Sequence, residues 1–93
     1  MPSTLRLQKN RRLVQVSLNG ALRSGAGGAA SIDIEAATIR ELLTKLVERY
    51  PDMQDHLDRG IAVAIDGVVY RDDWNQKIPK GAEVFLMPRI EGG

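Results

Sequence analysis

The chain ends in two glycines, Gly92 and Gly93, whose type and position could support chemistry more directly than any other residues. A C-terminal carboxylate is a poor electrophile until it is activated, for example by transfer to the α-phosphate of ATP in another protein. Glycine has no Cβ, so its backbone can pass through a narrow channel and adopt unusual dihedral angles. The ending therefore predicts a chain end that is activated inside a partner. The alternative is that the two glycines are only a frayed end or a cloning scar.

Few other residues have the neighbours that catalysis or metal binding requires. The chain has no cysteine, which excludes disulfides, thiolate nucleophiles and cysteine metal sites. His56 is the only histidine, so a zinc site is not expected and a surface position is the simpler interpretation. Asp72 and Asp73 could form a general acid/base pair, but a solvated turn is the simpler reading of that pair. The glycine-rich loop from Gly20 to Gly28 lacks the Gly-Lys-Ser/Thr ending of a phosphate-binding loop, which favours a flexible hairpin connection.

The composition is that of one small globular domain. The 93 residues are 43% hydrophobic and 27% charged, and they contain neither an apolar run of membrane-spanning length nor a signal-peptide block. Residues 1–30 carry five basic residues and no acidic one, whereas residues 31–93 carry eight basic and twelve acidic residues. A basic end of this kind could meet an acidic partner or nucleic acid. The stretch has no aromatic residue among its charges on which bases could stack, which favours a solvated leader. We therefore expect a cytoplasmic protein with neither nucleic acid nor membrane as a partner.

Alternating apolar residues predict the strands. Leu13 to Leu18 and Ser31 to Glu35 alternate, which predicts two antiparallel strands joined by a loop over 19–30. Further along the chain, the Asp66-Gly67 pair predicts a hairpin between strands at Ile61 to Ile65 and Val68 to Tyr70. The last strand is predicted from Glu83 to Met87, with Pro88 ending its pairing. The segment from 71 to 80 is predicted to be irregular, with Trp74 and Ile78 as its anchors.

One helix is predicted, and it begins with a capping-box pattern. Thr38 is the candidate N-cap and Glu41 follows three residues later. Pro51 is expected to stop the helix after Tyr50, because the residue before a proline avoids the helical region. The polar stretch from 51 to 60 is predicted to be a loop with a short turn. The apolar residues of the helix recur at helical spacing and form one stripe for the core: Ile39, Leu42, Leu43, Leu46, Val47 and Tyr50.

The order of these elements predicts an α+β fold of the β-grasp type, with one main helix on a mixed sheet of four to five strands. The long connection through the helix lets the first and last strands lie parallel at the centre of the sheet. Residues 1–12 are expected to be a flexible leader, residues 13–88 the domain, and residues 89–93 a flexible tail that ends in Gly-Gly.

The sequence resembles the ubiquitin-like sulfur-carrier family, which includes the small subunit of molybdopterin synthase (MoaD) and the thiamine-pathway carrier (ThiS). The resemblance spans roughly residues 13 to 93. It implies a protein cosubstrate that is not an enzyme in itself. Such a cosubstrate could act as the small subunit of a sulfurtransferase such as molybdopterin synthase. The segments that carry it are Ala21-Leu22-Arg23 with the glycine-rich loop, the helix opening Thr38-Ile39-Arg40-Glu41-Leu42-Leu43, the hairpin Ala64-Ile65-Asp66-Gly67, and the ending Gly81-Ala82-Glu83-Val84 through Pro88 to Gly92-Gly93.

The same resemblance implies a site and a set of partners. Gly93 would be adenylated by a ubiquitin-activating-type adenylyltransferase and converted to a thiocarboxylate by a sulfur donor, and a sulfur-accepting synthase would then receive the sulfur. Gly92, Glu91, Ile90 and Arg89 would thread into the partner. The carrier would bind no cofactor, since ATP and magnesium are used by the activating partner. The pathway stays open between molybdopterin, thiamine and related products. The rival interpretations are a protein modifier that forms isopeptide bonds with lysines and a β-grasp interaction module.

The last predicted strand is apolar on both of its faces, although one helix can cover only one face of the sheet. Phe85 and Met87 point away from the predicted core. The sequence leaves two interpretations of this pair open. In the first, they form a docking patch for the activating enzyme or the sulfur acceptor. In the second, the segment from 71 to 80 closes this face through Trp74.

Overall fold

The computed structural model describes residues 13–89, so the predicted leader (1–12) and the last four residues of the predicted tail (90–93) lie outside the described residues. Five strands form one mixed sheet in the order β2-β1-β5-β3-β4. Neither α-helix of residues 13–89 has the length and apolar character needed to cross a membrane. The elements are β1 (Leu13–Leu18), a 3₁₀ helix (Gly20–Ala26), β2 (Ser31–Glu35), α1 (Ile39–Arg49), α2 (Met53–Arg59), β3 (Ile61–Ile65), β4 (Val68–Tyr70) and β5 (Val84–Pro88).

The sheet confirms the predicted β-grasp topology. β1 and β5 lie parallel at its centre, with Ser17 opposite Phe85, and β2 and β3 flank them in antiparallel pairs. The hairpin from β3 to β4 turns at Asp66 and Gly67, which take φ angles of 50° and 88°. Positive φ at both central residues is the geometry of the type I′ turn, which explains why Asp-Gly stands there.

The prediction that Pro88 ends the pairing of the last strand is wrong for the β3 side of that strand. Pro88 lies within β5 opposite Ile61, and the next residue, Arg89, still donates its N–H to the carbonyl oxygen of Gly60 at 3.0 Å. Successive N–H groups of a strand point to opposite sides, so the missing donor of Pro88 faces the β1 side. On that side the Asn19 N–H still donates to the Leu86 carbonyl oxygen at 2.9 Å, and the next donor along β5 would be the N–H that Pro88 lacks. The proline therefore ends the pairing with β1 and leaves the pairing with β3 intact.

Helix α1 covers one face of the sheet and forms the core with it. Its buried residues Ile39, Leu42 and Leu46 pack against fully buried strand residues that include Val16, Val63 and Leu86. The helix begins as predicted, because Thr38 Oγ1 accepts the N–H of Glu41 at 3.2 Å. It ends at Arg49, directly before the Tyr50-Pro51 pair. Propensity, capping and burial agree for this helix, which is why the sequence predicts it well.

The start of α1 is also capped by the segment from 71 to 80. The carbonyl oxygens of Trp74 and Gln76 accept the N–H groups of Arg40 and Ile39 at 2.8 and 3.0 Å. Ile78 is buried, as predicted for an anchor, and Trp74 packs half-buried against the core cluster. Free N–H groups in the first turn of a helix need acceptors, so this irregular segment is held on the helical side of the sheet.

Two segments predicted to be loops are in part helical. The stretch over 19–30 contains the 3₁₀ helix, and the stretch from 51 to 60 contains α2. Each is stabilised by the other, because Met53 of α2 is fully buried and packs over Gly25 of the 3₁₀ helix. A Cβ at Gly25 would lie 2.6 Å from Met53 Sδ and 2.8 Å from His56 Cδ2. This close approach is a long-range contact that local sequence patterns do not reveal.

The two edges of the sheet differ. Lys45 Nζ donates to the carbonyl oxygen of Glu35 at 2.8 Å, and Arg49 Nη1 donates to that of Asp33 at 3.1 Å, so α1 side chains cap the outer edge of β2. Within residues 13–89 no group bonds to the outer backbone edge of β4, where Val68 and Val69 are exposed. Basic side chains over a strand edge are a known protection against edge-to-edge pairing.

Candidate functional site

The predicted reacting residue, Gly93, lies outside the described residues, together with Gly92, Glu91 and Ile90 of the threading segment. Arg89 is the one threading residue within the described part of the chain, and the structure shows how it is held. Its N–H donates to the Gly60 carbonyl oxygen, and its guanidinium Nη2 lies 3.0 Å from Asp72 Oδ2. The root of the tail is therefore fixed both by its backbone and by its side chain.

The sheet face opposite α1 is apolar and centred on Phe85. Ser17, Ala64 and Val69 are its neighbours in one row across β1, β5, β3 and β4. Small residues on both sides of the aromatic ring leave 38% of Phe85 exposed. Met87, half-buried, follows in the next row beside Ala62. We call the residues Leu13, Ser17, Ala62, Ala64, Val69, Phe85 and Met87 the open face.

A concavity of about 590 Å³ lies next to Phe85 on the open face. Leu13 and Gln15 line it on one side, and Ala82 and Glu83 line it on the other. An aromatic side chain beside a depression offers a partner both a projecting apolar group and a recess to fill.

Trp74 does not cover the open face. It lines a separate groove with Leu43, Val47 and Leu57, which is on the helical side of the sheet. Its carbonyl oxygen caps α1 on that same side. The interpretation that this segment closes the second face of β5 through Trp74 is therefore wrong. The docking role of Phe85 and Met87 stays a prediction.

The charges around the open face are acidic. On the strands of residues 13–89, this side of the sheet carries Asp33 and Glu35 of β2 and neither lysine nor arginine. Near the hairpin, Glu83 lines the other end of the concavity, and its N–H donates to Asp66 Oδ1 at 2.9 Å. An apolar centre with an acidic rim complements a partner surface whose apolar recess is bordered by basic groups.

One carboxylate of the fold has a perturbed pKa. Glu41 Oε1 accepts the N–H of Ala37 at 2.8 Å, and its Oε2 lies 3.2 Å from Lys45 Nζ. The backbone hydrogen bond, followed by the bond to Lys45, holds the pKa of Glu41 below its usual value. This group stabilises the start of α1 and lies away from the open face.

The other candidates from the sequence take structural positions. His56 packs against the Gly25 position, and Asp72 pairs with Arg89. Within residues 13–89 no three His, Asp or Glu side chains are grouped so that they could hold a metal ion. Sequence reasoning missed the attachment of Arg89 to Gly60 and Asp72, and no local pattern signals it, because the three residues lie far apart along the chain.

Solved structures with the same fold come from several organisms. A putative molybdopterin converting factor subunit 1 from Pyrococcus furiosus has a TM-score of 0.70 at 20% identity, covering 84% of this chain and 98% of that one. The complex of BexX and CysO from Amycolatopsis orientalis contains a chain with a TM-score of 0.69 at 23% identity, covering 86% and 99%. Small archaeal modifier protein 1 from Methanosarcina acetivorans has a TM-score of 0.68 at 21% identity, covering 90% and 99%. At these identities the likeness establishes the fold.

The family is established by a sequence comparison that includes the chain end. No curated protein matches the chain. The ThiS family matches residues 16–93, from the middle of β1 to the terminal glycine. This match covers most of the chain and agrees with the β-grasp sheet. The chain therefore belongs to the ThiS family of ubiquitin-like sulfur carriers.

Proposed function

We propose that this protein carries sulfur as a thiocarboxylate on Gly93 and delivers it to a biosynthetic acceptor. The observation that carries this proposal is the family match, which runs through the Gly92-Gly93 ending. In the first step a Gly93 carboxylate oxygen attacks the α-phosphate of ATP, and pyrophosphate leaves. In the second step hydrosulfide, or a donor at the same oxidation level, attacks the acyl carbon. AMP leaves with the bonding electrons, and a thiocarboxylate remains.

The requirement for glycine at the end follows from these two steps. The Gly93 carboxylate oxygen must reach the α-phosphate in the first step, and sulfur must reach the acyl carbon in the second. A side chain at position 93 would stand next to both atoms. Glycine also lets the chain adopt the dihedral angles that a narrow nucleotide site imposes. The nucleotide and its magnesium ion belong to the activating partner, a ubiquitin-activating-type adenylyltransferase.

The open face is the proposed docking surface for the activating enzyme and the sulfur acceptor. Phe85 and Met87 would enter an apolar recess, while Asp33 and Glu83 would meet basic groups at its border. The solved complex of CysO with BexX supports a partner-bound state for a carrier of this fold. In this arrangement the open face would provide the affinity for the partner, and the tail would supply the reacting group.

Mass spectrometry of the protein purified from its native cells tests the proposal. The carrier function requires that one oxygen at the C-terminus is replaced by sulfur in part of the population. Deletion of Gly93 should abolish this product and the release of pyrophosphate from ATP by the adenylyltransferase. Gly20→Ala is the matched control, because a Cβ there would meet no atom within 4 Å. A chain end that is never altered in the cell would refute the proposal.

A protein modifier is the second candidate, since the fold is shared with small archaeal modifier protein 1. The same acyl-adenylate, transferred to a lysine amine, would give an isopeptide bond. Digestion of cell extracts should then yield lysines that carry a fragment ending in Gly-Gly. A β-grasp interaction module, the third interpretation, requires that deletion of Gly93 leaves function intact.

A further inference from the structure

We propose that Arg89 is a positioning residue, and that its attachment to Gly60 and Asp72 fixes the point at which the reactive tail begins. This inference rests on the proposed function, because it concerns how the tail is presented to an adenylyltransferase. We call the three residues Gly60, Asp72 and Arg89 the tail clamp.

The clamp holds Arg89 at two separate points. The backbone N–H of Arg89 donates to the Gly60 carbonyl oxygen at 3.0 Å, which extends the pairing of β5 with β3 by one residue. The guanidinium Nη2 lies 3.0 Å from Asp72 Oδ2, in the segment that follows β4. These two attachments reach different parts of the chain, so they restrict both the position of Arg89 and the direction of its side chain.

Gly60 lies beneath the side chain of Arg89. It has a φ of +105°, a region that side chains rarely adopt, and a Cβ built on it would lie 3.5 Å from both Cβ and Cδ of Arg89. The aliphatic stem of the arginine therefore lies directly over Gly60. Only 27% of the Arg89 side chain is exposed, compared with 79% of Asp72. The arginine is held down along its length, and only the carboxylate of the pair stands in solvent.

The local charges favour this pair. Arg59 and Arg71 line the same recess of about 360 Å³ as Arg89, Asp58 and Asp72. Asp58 already accepts a hydrogen bond from Gln54 at 2.9 Å. Asp72 Oδ2 lies 3.0 Å from the Arg89 guanidinium in a recess that holds three guanidinium groups and two carboxylates. Loss of the Asp72 charge would leave one carboxylate with three guanidinium groups, which would weaken the hold on the Arg89 side chain.

The clamp determines how far the terminus can reach. Four residues, Ile90 to Gly93, follow it, and an extended chain spans roughly 3.3–3.6 Å per residue, or about 14 Å in all. If Arg89 were released, the tail would begin one residue earlier, and the maximum reach of the terminus would increase by about 3.5 Å. Release of Arg89 would lower the fraction of molecules whose tail starts from the clamped position, and the apparent affinity for the adenylyltransferase would fall by that fraction.

Asp72→Asn tests the clamp, and Asp73→Asn is its matched control. Both residues lie in the same exposed turn. The Asp72 carbonyl oxygen accepts the N–H of Trp74, and the Asp73 carbonyl oxygen accepts the N–H of Gln76. Both substitutions retain these backbone hydrogen bonds. Of these two aspartates, Asp72 is the one that pairs with Arg89. The variants leave residues 89–93 unchanged, so any effect on the tail must pass through the clamp.

The first measurement is hydrogen exchange of the Arg89 amide by NMR in the full chain. An exposed ion pair of this kind changes an equilibrium by roughly 1.5- to 5-fold. We therefore expect exchange at Arg89 to accelerate by about that factor in Asp72→Asn and to stay unchanged in Asp73→Asn.

The second measurement is pyrophosphate release from ATP by the ubiquitin-activating-type adenylyltransferase of the same organism. The KM for the carrier should rise about 2- to 5-fold in Asp72→Asn with little change in kcat, and the control should match the wild type. Equal Arg89 exchange rates in the two single variants, or equal KM values, would overturn the clamp. If the wild type itself gave no pyrophosphate, the proposed function would fail, while the exchange measurement would still decide whether Asp72 holds Arg89.

Discussion

Replacement of Phe85 by alanine should strongly weaken partner binding if the open face is the docking surface. If no partner contacts the open face, the substitution should leave binding unchanged. The side chain of a phenylalanine has roughly 150–250 Å² of surface. The exposed 38% of Phe85 therefore offers about 75 Å² to a partner. At about 25 cal/mol per Å², its burial contributes about 2 kcal/mol, which corresponds to a rise of roughly 25- to 30-fold in Kd when it is lost.

The same substitution also affects folding, and the assay must separate the two effects. The buried remainder of the ring contributes up to about 3 kcal/mol to stability by the same coefficient, an upper bound because unfolded chains already bury some surface. Urea titration of Phe85→Ala gives the folded fraction, and calorimetric titration with the adenylyltransferase is then run under conditions in which the variant is folded. Binding per folded molecule is the quantity that tests the docking face.

Val68→Ala is the matched control for this experiment. Val68 is 54% exposed, more than Phe85, but it lies in the edge strand β4 next to Ile65 and not in the open face. Its Kd should stay within about twofold of the wild type, since surface substitutions outside an interface have small effects. If both variants weakened binding alike, or if Phe85→Ala bound normally once folded, the reasoning about the open face would be refuted.

Three further predictions concern stability. Glu41→Ala should cost about 0.5 kcal/mol near neutral pH, a small value because the carboxylate is 43% exposed and screened by solvent. Since folding lowers the Glu41 pKa, this contribution is present above the pKa of the unfolded chain and is lost as the pH falls through the folded pKa, so urea midpoints of variant and wild type should converge in acid. Gly25→Ala should cost roughly 1–3 kcal/mol by overpacking against Met53 Sδ, and thermal unfolding should show a lower Tm than for Gly20→Ala. Met53→Ala should cost roughly 2–5 kcal/mol because the side chain is fully buried, and a urea midpoint equal to the wild type would contradict this.

Much of the fold could be predicted because local signals agree with tertiary packing. Thr38 and Glu41 mark the start of α1, and the Asp66-Gly67 pair marks the hairpin. The alternation in β1 and β2 matches the burial of their residues. The two helical segments that were missed are different, since each buries its few apolar residues mainly against the other. The contact between Gly25 and Met53 forms only when the folded sheet brings them together. A short polar stretch has no hydrophobic periodicity from which a helix could be predicted.

The candidate site was predictable only in part. The position of Phe85 and Met87 away from the core follows from the alternation of β5. Whether that face is covered depends on where Trp74 packs, and periodicity does not say to which side of the sheet an irregular segment runs. The tail clamp was out of reach for the same reason, because it joins residues at the end of α2, after β4 and after β5.

The unequal edges of the sheet set a limit on self-association. Lys45 and Arg49 already occupy carbonyl oxygens along the outer side of β2, whereas no group within residues 13–89 bonds to the outer backbone edge of β4. If two copies joined through their β4 strands, the ten-stranded sheet that results would present a blocked β2 at each end. Edge-to-edge association would therefore stop at a two-fold dimer and would not continue into a fibre. An exposed β4 edge is for this reason compatible with a high protein concentration.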